Sequence, residues 1–272
     1  MEVLQAILLG LLQGLTEFLP VSSSGHLLIF KKLFEVDTNV FGLYFDIALH
    51  VATLIAVFVV LWKDILSLIR KPFQKLMLML VVATIPAVIV GVLFQSKIEE
   101  VCETGGYLGI SFIITAIVIW MADTYAFSNK GKNLDDITYK NAGLIGISQA
   151  IAILPGISRS GSTLSTGMLT GLKKDAAVRF AFLMSIPVIL GSAGLGIKDI
   201  AVSTEPVQWL PLIAGMIAAA VAGYISITFM INFLKKRSMK VFSVYVLIIG
   251  TLILTDQLFF QRFFTYFMST KM

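Results

Sequence analysis

The chain has 272 residues, 57% of them hydrophobic and only 14% charged, with a mean hydropathy of +0.92. A soluble domain covers its surface with about 25% charged residues, so a water-soluble globule is excluded; a bilayer, which needs charge only at its two faces, is the expected solvent. The net charge of +5 points to basic loops against an anionic leaflet, not to nucleic-acid binding, and the single Cys102 excludes an internal disulfide and a zinc site of Cys/His spacing.

In chain order, Glu2 stands where a signal peptide would carry a basic residue and no small-residue cleavage site follows, so the N-terminus is expected to belong to the mature protein. The first apolar segment, 3–35, is broken by Pro20-Val21-Ser22-Ser23-Ser24-Gly25. Three runs of spanning length follow at 41–62, 74–96 and 106–126. A second broken segment, 142–172, contains Pro155-Gly156-Ile157-Ser158-Arg159-Ser160-Gly161, and three more runs occupy 176–197, 208–234 and 240–260. Pro removes a backbone donor and Gly permits positive φ, so both clusters should break their helices. Broken backbone at membrane depth is tolerated only where protein buries it or where it lines a wet cavity. The expected fold is therefore an all-α integral membrane protein with six transmembrane helices and two re-entrant helix-loop-helix hairpins, forming one domain over 1–272.

Basic residues test this layout. With each hairpin returning to its starting side, the loops holding Lys63–Lys75, Lys130–Lys140, Lys173–Arg179 and Lys235–Lys240 put 14 of the 21 Lys and Arg on one face. Lys31, Lys32, Lys97, Lys198, Arg262 and Lys271 fall on the other, and Arg159 alone is left over. The positive-inside rule makes the richer face cytoplasmic and places both termini outside.

Sliding the sequence on itself by 136 positions matches Leu8 with Leu144, Gly10 with Gly146, Gln13 with Gln149, Ser22 with Ser158, Ser24 with Ser160 and Gly25 with Gly161. Composition alone would give about one or two such identities, so the halves 1–127 and 138–272 are read as a duplication. Each half has one hairpin and three spans. An odd number of spans inverts the second copy, and such inverted repeats bind near the midplane on their broken helices. The matched segments differ in chemistry: Glu17, Ser23 and His26 in the first align with Ile153, Arg159 and Ser162 in the second. That division of labour is expected of one composite site.

Glu17 lies in the apolar run Leu15–Val21, where a carboxylate costs about 2.5–3.5 kcal/mol on insertion scales and needs a partner. Gln13, four residues earlier, shares its helix face; the alternative for both is a plain helix–helix polar contact. His26 follows the Ser22, Ser23, Ser24 and Gly25 run at the start of a half-helix, where it suits acid, base or nucleophilic work unless it is structural. Arg159 matches phosphate oxygens by paired hydrogen bonds, the alternative being backbone carbonyls. Ser158, Ser160 and Thr163 add hydroxyls, and Gly156 and Gly161 allow close backbone approach to an anion. Asp46 and His50 read as a helical pair near the interface, and Asp123 as a solvated residue at a span end.

The run Gln13-Gly14-Leu15-Thr16-Glu17-Phe18-Leu19-Pro20-Val21-Ser22-Ser23-Ser24-Gly25-His26 resembles the first motif of the bacterial undecaprenyl-diphosphatase, or bacitracin-resistance, family, (E/Q)xxxE followed by PVSSxGH. Pro155–Thr163 resembles its second, PGxSRSxxT. The resemblance implies an enzyme of the bacterial inner (plasma) membrane that hydrolyses undecaprenyl diphosphate to undecaprenyl phosphate and inorganic phosphate. That reaction recycles the lipid carrier for the cell wall and confers bacitracin resistance. By motif position it places the catalytic set on Glu17, Ser23, His26 and Arg159, with Gln13 beside them. The chemistry calls for a divalent cation, Mg²⁺ or Ca²⁺, held by Glu17. Water, Ser23 and His26 all remain open as nucleophile, a homodimer is left open, and a lipid-phosphate transporter or flippase is the alternative function.

Overall fold

The computed structural model describes residues 1–36, 40–94, 97–98, 105–125, 131–202, 207–261 and 264. Cys102 lies outside the described residues. Apart from a single bridge between Lys132 and Leu172, everything regular among them is helical. The helices are α1 (Val3–Phe18), α2 (Ser23–Leu33), α3 (Val40–Val60), α4 (Trp62–Arg70), α5 (Lys75–Leu93), α6 (Leu108–Tyr125), α7 (Tyr139–Ile151), α8 (Arg159–Leu169), α9 (Lys174–Val202), α10 (Trp209–Leu234) and α11 (Lys240–Thr255).

Five stretches, Lys75–Leu93, Leu108–Tyr125, Lys174–Gly194, Trp209–Leu234 and Lys240–Phe260, are long and apolar enough to cross a bilayer. The expected span at 41–62 is α3, which turns by 85° into α4; counting that pair as one span gives six. The sequence reading did not separate α4. Its Ile65 and Leu68 are buried while Lys63 and Arg70 face outward, an amphipathic pattern that lies across the bundle end. Leu93, Trp209, Leu210, Ile217 and Phe259 are exposed around the bundle, and Phe18, Phe45, Phe112, Phe180 and Phe182 are fully buried within it. An apolar exterior over an apolar core is what lipid permits and water penalises.

Polar bonds sort the connections onto two ends. Asp64 pairs with Arg179, Lys75 donates to the Asp135 carbonyl, Lys173 to Asn133 Oδ1, and Lys174 to Asp123. These, with Ser238 bonded to Asp123, gather four connections rich in Lys and Arg at one end. At the other, the N-terminal ammonium reaches Gln208, and Lys31 reaches Asp46. Asp123 is a correction to the sequence reading: it is 6% exposed, salt-bridged to Lys174 at 2.9 Å and hydrogen-bonded by Ser238, so it ties α6 to α9 and to the α10–α11 connection.

Both expected breaks are present. α1 stops at Phe18 and α2 restarts at Ser23; α7 stops at Ile151 and α8 restarts at Arg159. Ser22 and Ser158, aligned by the 136-residue offset, are the two N-caps, accepting from Gly25 N–H at 3.4 Å and Gly161 N–H at 3.0 Å. Gln5 Nε2 donates to the Phe34 carbonyl, and Asn141 Nδ2 to the Thr170 carbonyl, so each broken pair begins and ends side by side. The matched glycines mark tight crossings. A Cβ on Gly10 would lie 2.2 Å from the Gly215 carbonyl oxygen on α10, and one on Gly146 would lie 2.5 Å from that of Ala83 on α5.

Candidate active site

The two breaks meet. Ser160 Oγ donates to the Leu19 carbonyl at 2.7 Å, and a Cβ on Gly25 would come within 3.2 Å of Gly156 Cα. Gly156 has φ of +87°, and Thr115 of α6 holds the segment there: its hydroxyl donates to the Gly156 carbonyl and accepts from Ser158 N–H, both at 3.0 Å. A glycine is required at 156 on both counts, since a Cβ would also meet Ser111 Cβ at 2.6 Å. The contact between the breaks brings the last turn of α1 against the first turn of α8.

Glu17 is the hub of what results. Its Oε1 accepts from Arg159 Nη2 at 2.8 Å, a pair spanning 142 residues of sequence. Its Oε2 accepts from Gln13 Nε2 at 2.9 Å and from Ser23 Oγ at 2.5 Å. The side chains of Glu17 and Arg159 are 4% and 14% exposed, so this is a buried ion pair whose remaining hydrogen bonds are supplied by neutral donors. The Gln13–Glu17 bond follows from helical spacing, and the Ser23 bond from the short return of the chain after the break. Arg159 Nη1 also points to the Ala181 carbonyl of α9 at 3.4 Å.

His50, read from sequence as a helical pair with Asp46, keeps that contact through the Asp46 backbone and also reaches this site. Its Nδ1 bonds the Asp46 backbone carbonyl at 2.8 Å and its Nε2 stands 3.7 Å from Glu17 Oε2, while the Asp46 carboxylate takes Lys31. The clue in the sequence was an ionisable residue inside an apolar run, the signal that singled out Glu17. His26 does not join this cluster through hydrogen bonds. Its Nδ1 lies 2.8 Å from the Ser22 carbonyl, its Nε2 2.8 Å from the Tyr245 hydroxyl of α11, and its ring meets Phe112 edge-on.

The other motif residues mainly shape the cradle. Ser158 Oγ is engaged by Gly161 N–H and Ser160 Oγ, Ser24 lies 3.4 Å from Ser22 Oγ, and Thr163 Oγ1 bonds back to the Arg159 carbonyl. Gly161 sits against Ser158 and Pro20. Ser226 of α10 fixes the end of α1 by donating to the Leu15 carbonyl at 2.8 Å, a contact with no signal in the sequence.

Among the described residues no three His, Cys, Asp or Glu side chains cluster as a closed metal site. One oxygen near Glu17 is unpartnered. Gln13 Oε1 is buried with no hydrogen-bond partner, on the amide whose Nε2 donates to Glu17. Hard divalent cations that complete their shells with phosphate oxygens and water fit such a donor set.

The arrangement offers a cation for phosphate oxygens, a carboxylate already accepting from a hydroxyl, and two histidines nearby. Residues 6–252 match the family model described as bacitracin resistance protein BacA. The chain is 45% identical over 258 residues to undecaprenyl-diphosphatase 4 of Bacillus cereus (strain ZK / E33L), covering 94% of this chain and 98% of that one. It is 41% identical over 260 residues to the undecaprenyl-diphosphatase of Carboxydothermus hydrogenoformans, with 94% and 98% covered, and 39% identical over 258 residues to that of Halothermothrix orenii, with 93% and 98% covered. With the match extending over nearly its whole length, the chain belongs to the bacitracin resistance protein BacA family.

Proposed function

We propose that this protein hydrolyses undecaprenyl diphosphate to undecaprenyl phosphate and inorganic phosphate. It is an undecaprenyl-diphosphate phosphatase of a multi-pass membrane protein family, and its activity underlies carrier recycling and bacitracin resistance. The observation that carries the mechanism is the Glu17 carboxylate, which bridges the Ser23 hydroxyl at 2.5 Å and the Arg159 guanidinium at 2.8 Å. A transporter needs the guanidinium to bind phosphate but has no use for a hydroxyl hydrogen-bonded to a base.

Phosphoryl transfer is mainly positioning and charge stabilisation. Arg159 turns from Glu17 to the diphosphate oxygens, which it matches as a planar fork. Glu17 takes the proton of Ser23 Oγ, or of a water held in its place, as oxygen attacks the terminal phosphorus; the bond to the bridging oxygen breaks and undecaprenyl phosphate leaves. Water attack gives inorganic phosphate directly, whereas Ser23 attack leaves a phosphoserine that a water, deprotonated by Glu17, then hydrolyses to phosphate and free serine. Glu17 and Gln13 Oε1 are the groups that would hold a divalent cation, which when bound neutralises phosphate charge. His26 handles a proton or the phosphate at its Nε2.

The isoprenoid tail lies in an apolar groove of about 590 Å³ between α3, α4, α5 and α9, lined by residues including Phe58, Leu80, Ile85, Leu183, Ile186 and Pro187. Its α9 wall begins at Leu183, two residues beyond the Ala181 carbonyl that faces Arg159. The halves are an inverted repeat, and α1–α2 and α7–α8 are re-entrant hairpins of opposite sense, in the plasma membrane with both termini outside. What supports this is the exchange of partners: α1 packs on α10 and α7 on α5, each at its matched glycine. The grouping of Lys- and Arg-rich connections at the end opposite the N-terminus also supports it.

Purified protein in detergent is expected to release inorganic phosphate from a polyprenyl diphosphate. Binding of the lipid without release would overturn the proposal.

A further inference from the structure

His26 is held more tightly than a hydrolytic role alone requires. The residue is 2% exposed, and both ring nitrogens are within hydrogen-bond distance of a partner, of which the Ser22 carbonyl has a fixed sense. The Ser22 carbonyl 2.8 Å from Nδ1 can only accept, so Nδ1 carries the proton. In a neutral imidazole Nε2 is then a bare lone pair, and the Tyr245 hydroxyl 2.8 Å away is its donor.

Three further features maintain this arrangement. Ser22 has φ of +68°, a conformation that is costly for a residue with a Cβ, and in it the carbonyl reaches Nδ1. Gly25, the residue before His26, admits the Phe112 ring, which a Cβ there would meet at 2.6 Å. Tyr245 comes from the other half of the chain, with its ring plane within 11° of the imidazole. Its helix is registered on α6 by Ser243 Oγ donating to the Ala116 carbonyl at 2.6 Å, two residues earlier. Tyr245 is itself 44% exposed, so burial alone does not hold its ring against the imidazole.

We propose that Tyr245 is a positioning residue for His26, fixing the Nδ1–H tautomer so that Nε2 is the atom offered to the substrate. An O–H arriving at Nε2, from water or from a protonated phosphate oxygen, displaces the phenol as donor, and the freed Tyr245 O–H donates to an unprotonated phosphate oxygen. The proposal rests on the reading of His26 as a working residue of the hydrolase.

Tyr245→Phe keeps the ring and removes only the hydroxyl. The chain has two histidines, so the full-length protein labelled with ¹⁵N-histidine gives two imidazole signal sets, with His26→Ala assigning them. The wild type is expected to show His26 with Nδ1 protonated and Nε2 bare but hydrogen-bonded. In Tyr245→Phe the Nε2 resonance moves toward a free lone pair or a tautomer mixture, and kcat falls about tenfold, the worth of one net hydrogen bond, with KM unchanged. An unmoved resonance or an unchanged kcat in Tyr245→Phe would overturn the proposal while leaving the hydrolase reading intact. Wild-type turnover in His26→Ala would be a separate failure, removing His26 from the reaction and Tyr245 with it.

Discussion

Replacing Arg159 with Ala separates what the buried ion pair does for folding from what it does for chemistry. The variant leaves the Glu17 carboxylate, 4% exposed, with hydrogen bonds from the neutral donors Gln13 and Ser23 and with His50 3.7 Å away. Removing one partner of a buried pair costs about 3–5 kcal/mol because the other charge is stranded, whereas removing both is often nearly neutral. Arg159→Ala is therefore expected to lower the denaturation midpoint, and Glu17→Ala with Arg159→Ala to recover most of that loss. Activity follows a different rule. Guanidinium stabilisation of a transferring phosphoryl group is worth about 10³–10⁵ in rate, so both variants should lose phosphate release by at least about a thousandfold. Thermal denaturation in detergent beside phosphate release from a polyprenyl diphosphate measures the two effects on the same samples. If the double variant regained activity along with stability, Arg159 would be a structural counter-ion and the mechanism would be wrong.

Other consequences are open to equally direct tests. Ser23→Ala should lower kcat by about 10²–10⁴ if Glu17 works through that hydroxyl, as read by steady-state phosphate release; a wild-type kcat would leave water as the nucleophile. Chelation of divalent cations is expected to abolish turnover, with Mg²⁺ or Ca²⁺ restoring it, and Gln13→Leu should raise the cation concentration needed. In the groove, Ile186→Trp should raise KM for long polyprenyl diphosphates and leave short-chain substrates unaffected. Gly156→Ala, which faces both a φ of +87° and Ser111 Cβ at 2.6 Å, should destabilise the second break and reduce folded yield.

The positions of the helix breaks could be read from sequence because Pro, Gly and Ser act locally: the N-caps at Ser22 and Ser158 are a matter of a few adjacent residues. Gln13 and Glu17 were readable together because helical spacing alone puts them on one face. Arg159 was conspicuous as the one basic residue that no bundle end accommodates. Thr115 and Tyr245 escaped notice, and His50 was paired with Asp46 alone, because each lies within a regular apolar helix, whose pattern does not say which face meets another element about 30 to 220 residues away. Asp123 misled for the same reason: a carboxylate at a helix end looks solvated until Lys174 and Ser238 arrive from distant segments. The turn from α3 into α4 was hidden by the continuity of apolar residues through Trp62.

In the proposed mechanism the Glu17 carboxylate, placed where the two breaks meet, drives hydrolysis of the diphosphate. Glu17→Gln preserves size and leaves Gln13, Ser23 and Arg159 in place while removing the charge and the base. Phosphate release from a polyprenyl diphosphate by the purified variant is predicted to fall by at least about a hundredfold relative to wild type. Turnover at the wild-type rate would contradict the account.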